Sequence, residues 1–197
     1  QINVNRNGYV SIVLSNASYK SIVDVYDRSG KSIFKTNLVS SIVADVSISQ
    51  DSKYLAIAEI DISGIIIQSS IQIISIELAQ TTPNESMLYK YEAPTDKLIL
   101  NIEYQEKGKL LCMYNDSIES LQNNTSTEII DLQEKNIAFA TIELNNKITI
   151  LEEISTGEYT SDTYARIINP ETLKERQYIT EDVAKSLLTV GNKIAIN

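Results

Sequence analysis

The stretch ISQDSKYLAIAEID, residues 48–61, sets three carboxylates, Asp51, Glu59 and Asp61, around a short apolar run. Alone it invites an acid/base reading; beside its relatives in the chain it becomes part of a repeat. INVNRNGYVSIVL (2–14), VSISQDSKYLAIAEI (46–60), IEYQEKGKLLCMY (102–114), TIELNNKITIL (141–151) and LLTVGNKIAIN (187–197) superimpose. Each reads as a strand, a polar turn and a second, apolar strand. With Tyr9, Tyr54, Leu110, Ile148 and Ile194 equivalent, the spacings are 45, 56, 38 and 46 residues.

Between these hairpins lies a second kind: SIVDVYDRSGKSIFKT (21–36), IQIISIELAQTTPNESMLYKY (71–91), SIESLQNNTSTEIIDL (117–132) and ARIINPETLKERQYI (165–179). In the first, Asp27 bonds its own turn backbone and Gly30 supplies the left-handed residue a bulged hairpin needs. Two hairpins per period, four strands in about 46 residues, is the spacing of β-propeller blades. The expected fold is all-β, with about four blades' worth of four-stranded antiparallel sheet, as an arc or fragment of a larger propeller. A closed four-bladed ring with a spare hairpin is the alternative. One domain over 1–197 is expected, with blades at 1–41 (partial), 42–93, 94–135 and 136–181, and the start of another at 182–197. No segment sustains a helical stripe; TEDVAKSLLTV (180–190) is ambiguous.

The 197 residues suffice for a core without staples. The net charge is −9 with no Lys/Arg block, which argues against nucleic acid or an anionic membrane surface as partner. Histidine is absent, removing Ser-His-Asp and Cys-His chemistry and zinc sites of ordinary composition. The single cysteine, Cys112, sits in the apolar run KLLCMY and reads as a small core hydrophobe. No phosphate-binding glycine loop or dinucleotide fingerprint is present, and neither cofactor nor metal is expected.

The stretches NGYVSIVL, YKSIVDVYDRSGKSIFKT and ISQDSKYLAIAEIDISGIIIQSSIQIISIEL resemble a family of uncharacterised clostridial proteins, similar to WD-repeat and quinoprotein-type propellers. The resemblance is closest over residues 7–78. It implies a propeller outside the cell, tethered by one N-terminal transmembrane helix, with residues missing on both sides of this chain. It carries no activity or catalytic residue. The Trp-Asp ending of WD repeats and Trp-rich quinone-stacking repeats are lacking.

In a meander of four strands A to D, the A–B and C–D turns fall at one end of the blade and the B–C and D–A loops at the other. Propeller ligands usually gather at the second end or in the channel lined by the A strands. Candidate binding residues there are Tyr19, Glu59, Asp61, Asp96, Glu153, Tyr159 and Asp162. The DISGIII segment (61–67) reads as an extension of strand C, with a partner-binding ridge as the other possibility. Asp51 falls in an A–B turn and reads as a turn former. A solvated strand end accounts for Glu59 and Asp61, and no catalytic residue is assigned.

The preferred function is a non-enzymatic, extracytoplasmic recognition or scaffold domain that binds a protein or a cell-envelope component. Pairing with another chain or with missing blades is also expected, because a blade fragment exposes open sheet faces. The rival reading is a carbohydrate-active propeller using Glu59, Asp61, Glu152, Glu153 and Asp162. It requires two carboxyl groups about 5–10 Å apart in a cleft, one with a raised pKa. A structural spacer without a ligand is the third.

Overall fold

A computed structural model describes residues 1–105, 108–133, 135–143, 147–155, 161–180, 187–190 and 193–196. Two compact units divide the chain, Gln1–Ile130 and Asp131–Asn197.

In the first unit, β1 (Ile2–Val4), β2 (Val10–Leu14), β3 (Ser21–Tyr26) and β4 (Ser32–Leu38) form a four-stranded antiparallel meander. A second comprises β5 (Ser41–Ile48), β6 (Tyr54–Asp61), β7 (Gln68–Ser75) and β8 (Met87–Glu92). A third comprises β9 (Ile99–Tyr104), β10 (Leu110–Tyr114), β11 (Ser117–Gln122) and β12 (Thr125–Asp131). In the second unit, β13 (Ile137–Glu143), β14 (Lys147–Ser155), β15 (Ser161–Ile168) and β16 (Glu175–Thr180) repeat the plan, and β17 (Leu187–Val190) pairs with β18 (Lys193–Ile196). The protein is thus all-β, built on four four-stranded antiparallel sheets.

Turn chemistry makes the hairpins. Asp27 accepts the Ser29 and Lys31 amides at 2.8 and 3.1 Å, and Gly30 has φ +82°. Asp51 accepts the Ser49 hydroxyl at 2.7 Å and the Lys53 amide at 3.1 Å, the turn-forming role its position implied.

Sheets pack face to face through two cores. One joins the first two sheets through Val23, Val25, Val46, Ile48, Leu55 and Ile57; the other joins the second and third through Ala58, Ile71, Ile73, Ile102, Leu110 and Cys112. Hydroxyls tie one sheet's strand C to the next sheet's strand A: Ser21 Oγ accepts the Val43 amide at 2.9 Å, and Ser69 Oγ the Ile99 amide at 3.1 Å. Cys112 is fully buried, and burial drives its thiol pKa upward, so it packs as a small hydrophobe.

Two expectations need correction. The 71–91 segment is not a simple hairpin, because a one-turn helix, α1 (Ile76–Thr81), interrupts it. Ser75 caps α1 through the Leu78 amide, while Ile76 and Ala79 bury the inner side. Six residues are too few for a periodic stripe to show. Nor does DISGIII extend strand C: the ladder ends at the Asp61–Gln68 pair, and 62–67 form an exposed loop. Asp61 bends the chain there by accepting the Ser63 amide at 2.9 Å and its hydroxyl at 2.7 Å. Of TEDVAKSLLTV, 181–186 lie outside the described residues.

Candidate functional site

The meander order places the B–C loops 15–20, 62–67 and 115–116, with the D–A connections 39–40 and 93–98, at one end of the first unit. Exposed aliphatics concentrate there. Ile65 is 104% exposed, Ile66 63% and Ile67 54%, and Val39, Ile42 and Leu98 lie exposed in or beside the D–A connections. A loop tip of three adjacent isoleucines gains nothing from water, and a protruding apolar group marks an interaction site more often than a scattered surface residue does.

The candidate side chains are distributed unevenly over this end. Tyr19 is half-buried in a loop that Asn16 closes by accepting the Ser18 and Tyr19 amides, each at 2.9 Å. Asp61 is committed to its turn, and the Ser63 bonds hold its carboxyl below the usual range. Asp96 is exposed, and its carbonyl accepts the Asn115 side-chain amide at 3.4 Å. Glu59 is not on the loop surface. It is 3% exposed within the second sheet, where burial raises its pKa and the Gln72 amide donates to it. Glu59 and Asp61 are therefore split between sheet interior and turn.

In the second unit, Glu153 accepts from the Asn136 side chain at 3.1 Å, and Asp162 lies half-buried on β15 opposite Ile154. Glu152 shares Arg166 with Glu175: Arg166 donates to Glu175 through two nitrogens at 2.9 Å and to Glu152 at 3.3 Å. Tyr159 lies outside the described residues.

Two clusters escaped the sequence reading. At the loop end, the Lys97 ammonium donates to Ser117 Oγ at 2.9 Å and to Glu119, lies 3.8 Å from an Asp116 oxygen and sits 5.6 Å from the Tyr114 ring centre. Burial pushes against ionisation of Glu119, but the Lys97 and Ser126 hydrogen bonds outweigh it and hold the carboxyl low. The cue was a lysine opening strand A beside Ser and Glu alternating on strand C.

The second cluster lies on the A strands themselves. Asp45 on β5 and Glu103 on β9 are 3% and 6% exposed. Asp45 accepts the Val46 and Ile102 amides at 2.8 and 2.9 Å and the side-chain amides of Gln1 and Asn101. Burial, aided by the nearby Asp45 charge, pushes Glu103 up to about 8, against hydrogen bonds with Ser47 and Asn3. Here are two buried carboxyl groups whose pKa values burial raises, and raised acids are half of what a glycosidase requires. The other half, an open cleft between them, is at odds with their burial and with the donors that already fill the Asp45 oxygens. Among the described residues no cluster of three or more His, Cys, Asp or Glu could hold a metal ion.

Four-stranded meanders packed through faces and tied A strand to C strand define the fold as a β-propeller. Solved structures agree. The β-propeller domain of Cps50 (Swd1) from Myceliophteria thermophila matches with a TM-score of 0.61 and 9% identity, over 100% of this chain and 61% of that one. The β-propeller domain of the Trilobed protease from Pyrococcus furiosus, described as having an open velcro topology, matches at 0.53 and 10% identity, over 100% and 68%. A protein of unknown function from Bacteroides caccae matches at 0.51 and 13% identity, over 97% and 66%. At these identities the likeness concerns fold alone, and the chain spans about two thirds of each structure or less. By sequence, residues 1–180 match the model of a family of unknown function, DUF5711, and the chain belongs to that family. None of the curated proteins matches the sequence.

Proposed function

We propose that this chain is a non-enzymatic recognition or scaffold domain that binds a protein or cell-envelope component through the B–C/D–A end of its blades. The observation that carries this reading is the exposed isoleucine loop 62–67 at the end where Val39, Ile42 and Leu98 are also exposed. The domain belongs outside the cytoplasm, on a bacterial protein tethered by an N-terminal helix; the clostridial resemblance supports that placement. No helix among the described residues is long and apolar enough to cross a membrane.

The rival carbohydrate-active reading draws on Asp45 and Glu103, and their burial counts against it. Retention on an envelope preparation from the producing cells separates the two. The recognition reading expects retention that Ile65→Ser, Ile66→Ser and Ile67→Ser together reduce about tenfold or more, with chromogenic glycosides left intact. Glycoside turnover lost in Glu103→Gln would favour the rival.

A further inference from the structure

One repeat carries an addition that the others manage without. The C–D turns of the first, third and fourth sheets are 27–31, 123–124 and 169–174, whereas the second devotes 76–86 to α1 and a one-turn 3₁₀ helix, Pro83–Glu85. The addition does more than close a hairpin, because α1 packs against β4, the last strand of the first sheet. A cavity of about 480 Å³ lies there, lined by Ile74 of β7, Met87 of β8, Ala79 and Pro83 of the addition, and Ser32–Thr36 of β4. Successive strand residues point to opposite faces, so a cavity that touches all of Ser32–Thr36 runs along the edge of β4. On one side β4 pairs with β3, and among the described residues no strand pairs with its other edge. Such an edge presents a row of unpaired backbone N–H and C=O groups.

We infer that this groove binds a short, extended, basic peptide that adds a strand to the free edge of β4. A strand edge repeats donors and acceptors at the spacing of another extended backbone, a match that a compact small molecule lacks. Alternation sets the side chains: an apolar one faces Ile74, Ala79 and Met87, and its neighbours face solvent. Charge sets the sign. Residues 76–86 bring Glu77 and Glu85, both exposed, and neither Lys nor Arg, while Lys35 on β4 already pairs with Asp24 at 3.5 Å. The net charge of −9 draws a basic segment the same way. The register slips at Ile33, between the Val25–Phe34 and Tyr26–Ser32 pairs, and such a bulge keeps the edge from pairing over its full length. A few main-chain bonds and one enclosed side chain therefore hold the peptide, with a Kd of about 10–100 µM.

The probe is a phage-displayed library of random peptides of about eight residues, selected on the whole chain. Enriched peptides, made synthetically, are then measured by fluorescence anisotropy. They should alternate apolar and polar residues and include Lys or Arg. Met87→Lys, and Glu77→Lys with Glu85→Lys, change exposed side chains and should leave far-UV circular dichroism unaltered. Each should weaken binding about tenfold. N-methylation of alternate peptide residues should abolish binding when it blocks the edge facing β4 and spare it when it blocks the other. Ile65→Ser with Ile66→Ser, at the opposite end of the blades, should leave binding untouched. A selection that enriches nothing, binding that survives both charge variants, equal effects of the two methylation patterns, or loss in the isoleucine variant each overturns the inference. None of these outcomes decides recognition at the loop end, which retention on the envelope preparation reads separately.

Discussion

Asp45 and Ile102 stand 57 residues apart in sequence, yet the Asp45 carboxylate accepts the Ile102 backbone amide at 2.9 Å and so fastens β5 to β9. Glu103, next along β9, is the group that pays for that charge: burial and Asp45 push its pKa from 4.5 up to about 8. Between those values the folded protein holds a proton that the unfolded chain releases. Stability therefore falls as pH rises through that window and levels off above it. Glu103→Gln keeps the shape without the charge. Urea unfolding at stepped pH should show a flatter profile and a variant more stable than wild type above pH 8. Asp45→Asn behaves oppositely, because it turns an amide donor toward backbone N–H groups, and it should cost about 2–4 kcal/mol at pH 7.

Asn5 joins the A–B turns of the first two sheets. Its side chain donates to the Ser49 carbonyl at 2.9 Å and to Ser52 Oγ at 2.8 Å, and accepts the Asn7 and Tyr9 amides at 3.1 and 3.0 Å. Asn5→Ala leaves buried donors and acceptors unmatched and should cost about 2–3 kcal/mol in chemical denaturation. Asn5→Asp should not rescue it, since a carboxylate would then face the Ser49 carbonyl.

Lys97 answers two acids that are both less than one-fifth exposed. Lys97→Met strands Glu119 in the protein and should cost about 2–4 kcal/mol. Adding Glu119→Gln should recover most of that loss, a coupling read directly from a double-mutant cycle of thermal unfolding.

The isoleucine loop contributes little to folding. Ile65→Ser, Ile66→Ser and Ile67→Ser should each change unfolding free energy by less than about 0.5 kcal/mol. A larger loss would mean that the loop is packed rather than presented.

The hairpins were legible because their causes are local. Asp27 with Gly30, and Asp51 with Ser49, act within a few residues, and the repeat of such turns revealed the blades. Asp51 lost its catalytic interest for the same reason. The acid pair on the A strands was not legible, because Glu103 acquires its character from Asp45 and Asn3, side chains delivered by other sheets. Nor could composition show that Ile65–Ile67 face solvent: a buried strand and an exposed loop use the same apolar triplet, and the Asp61–Ser63 turn decides between them. Glu59 misled in the opposite direction. Its place near a strand end suggested solvent, whereas it is buried within its sheet and takes a hydrogen bond from Gln72.

Recognition at the loop end is tested most directly by a photo-cross-linking amino acid placed at Ile66 in the protein in its own cells. The control position is Ser29, in the C–D turn at the opposite end of the blades. The account predicts a discrete cross-linked partner from position 66 and none from position 29. No adduct at 66, or the same adducts from both ends, would contradict it.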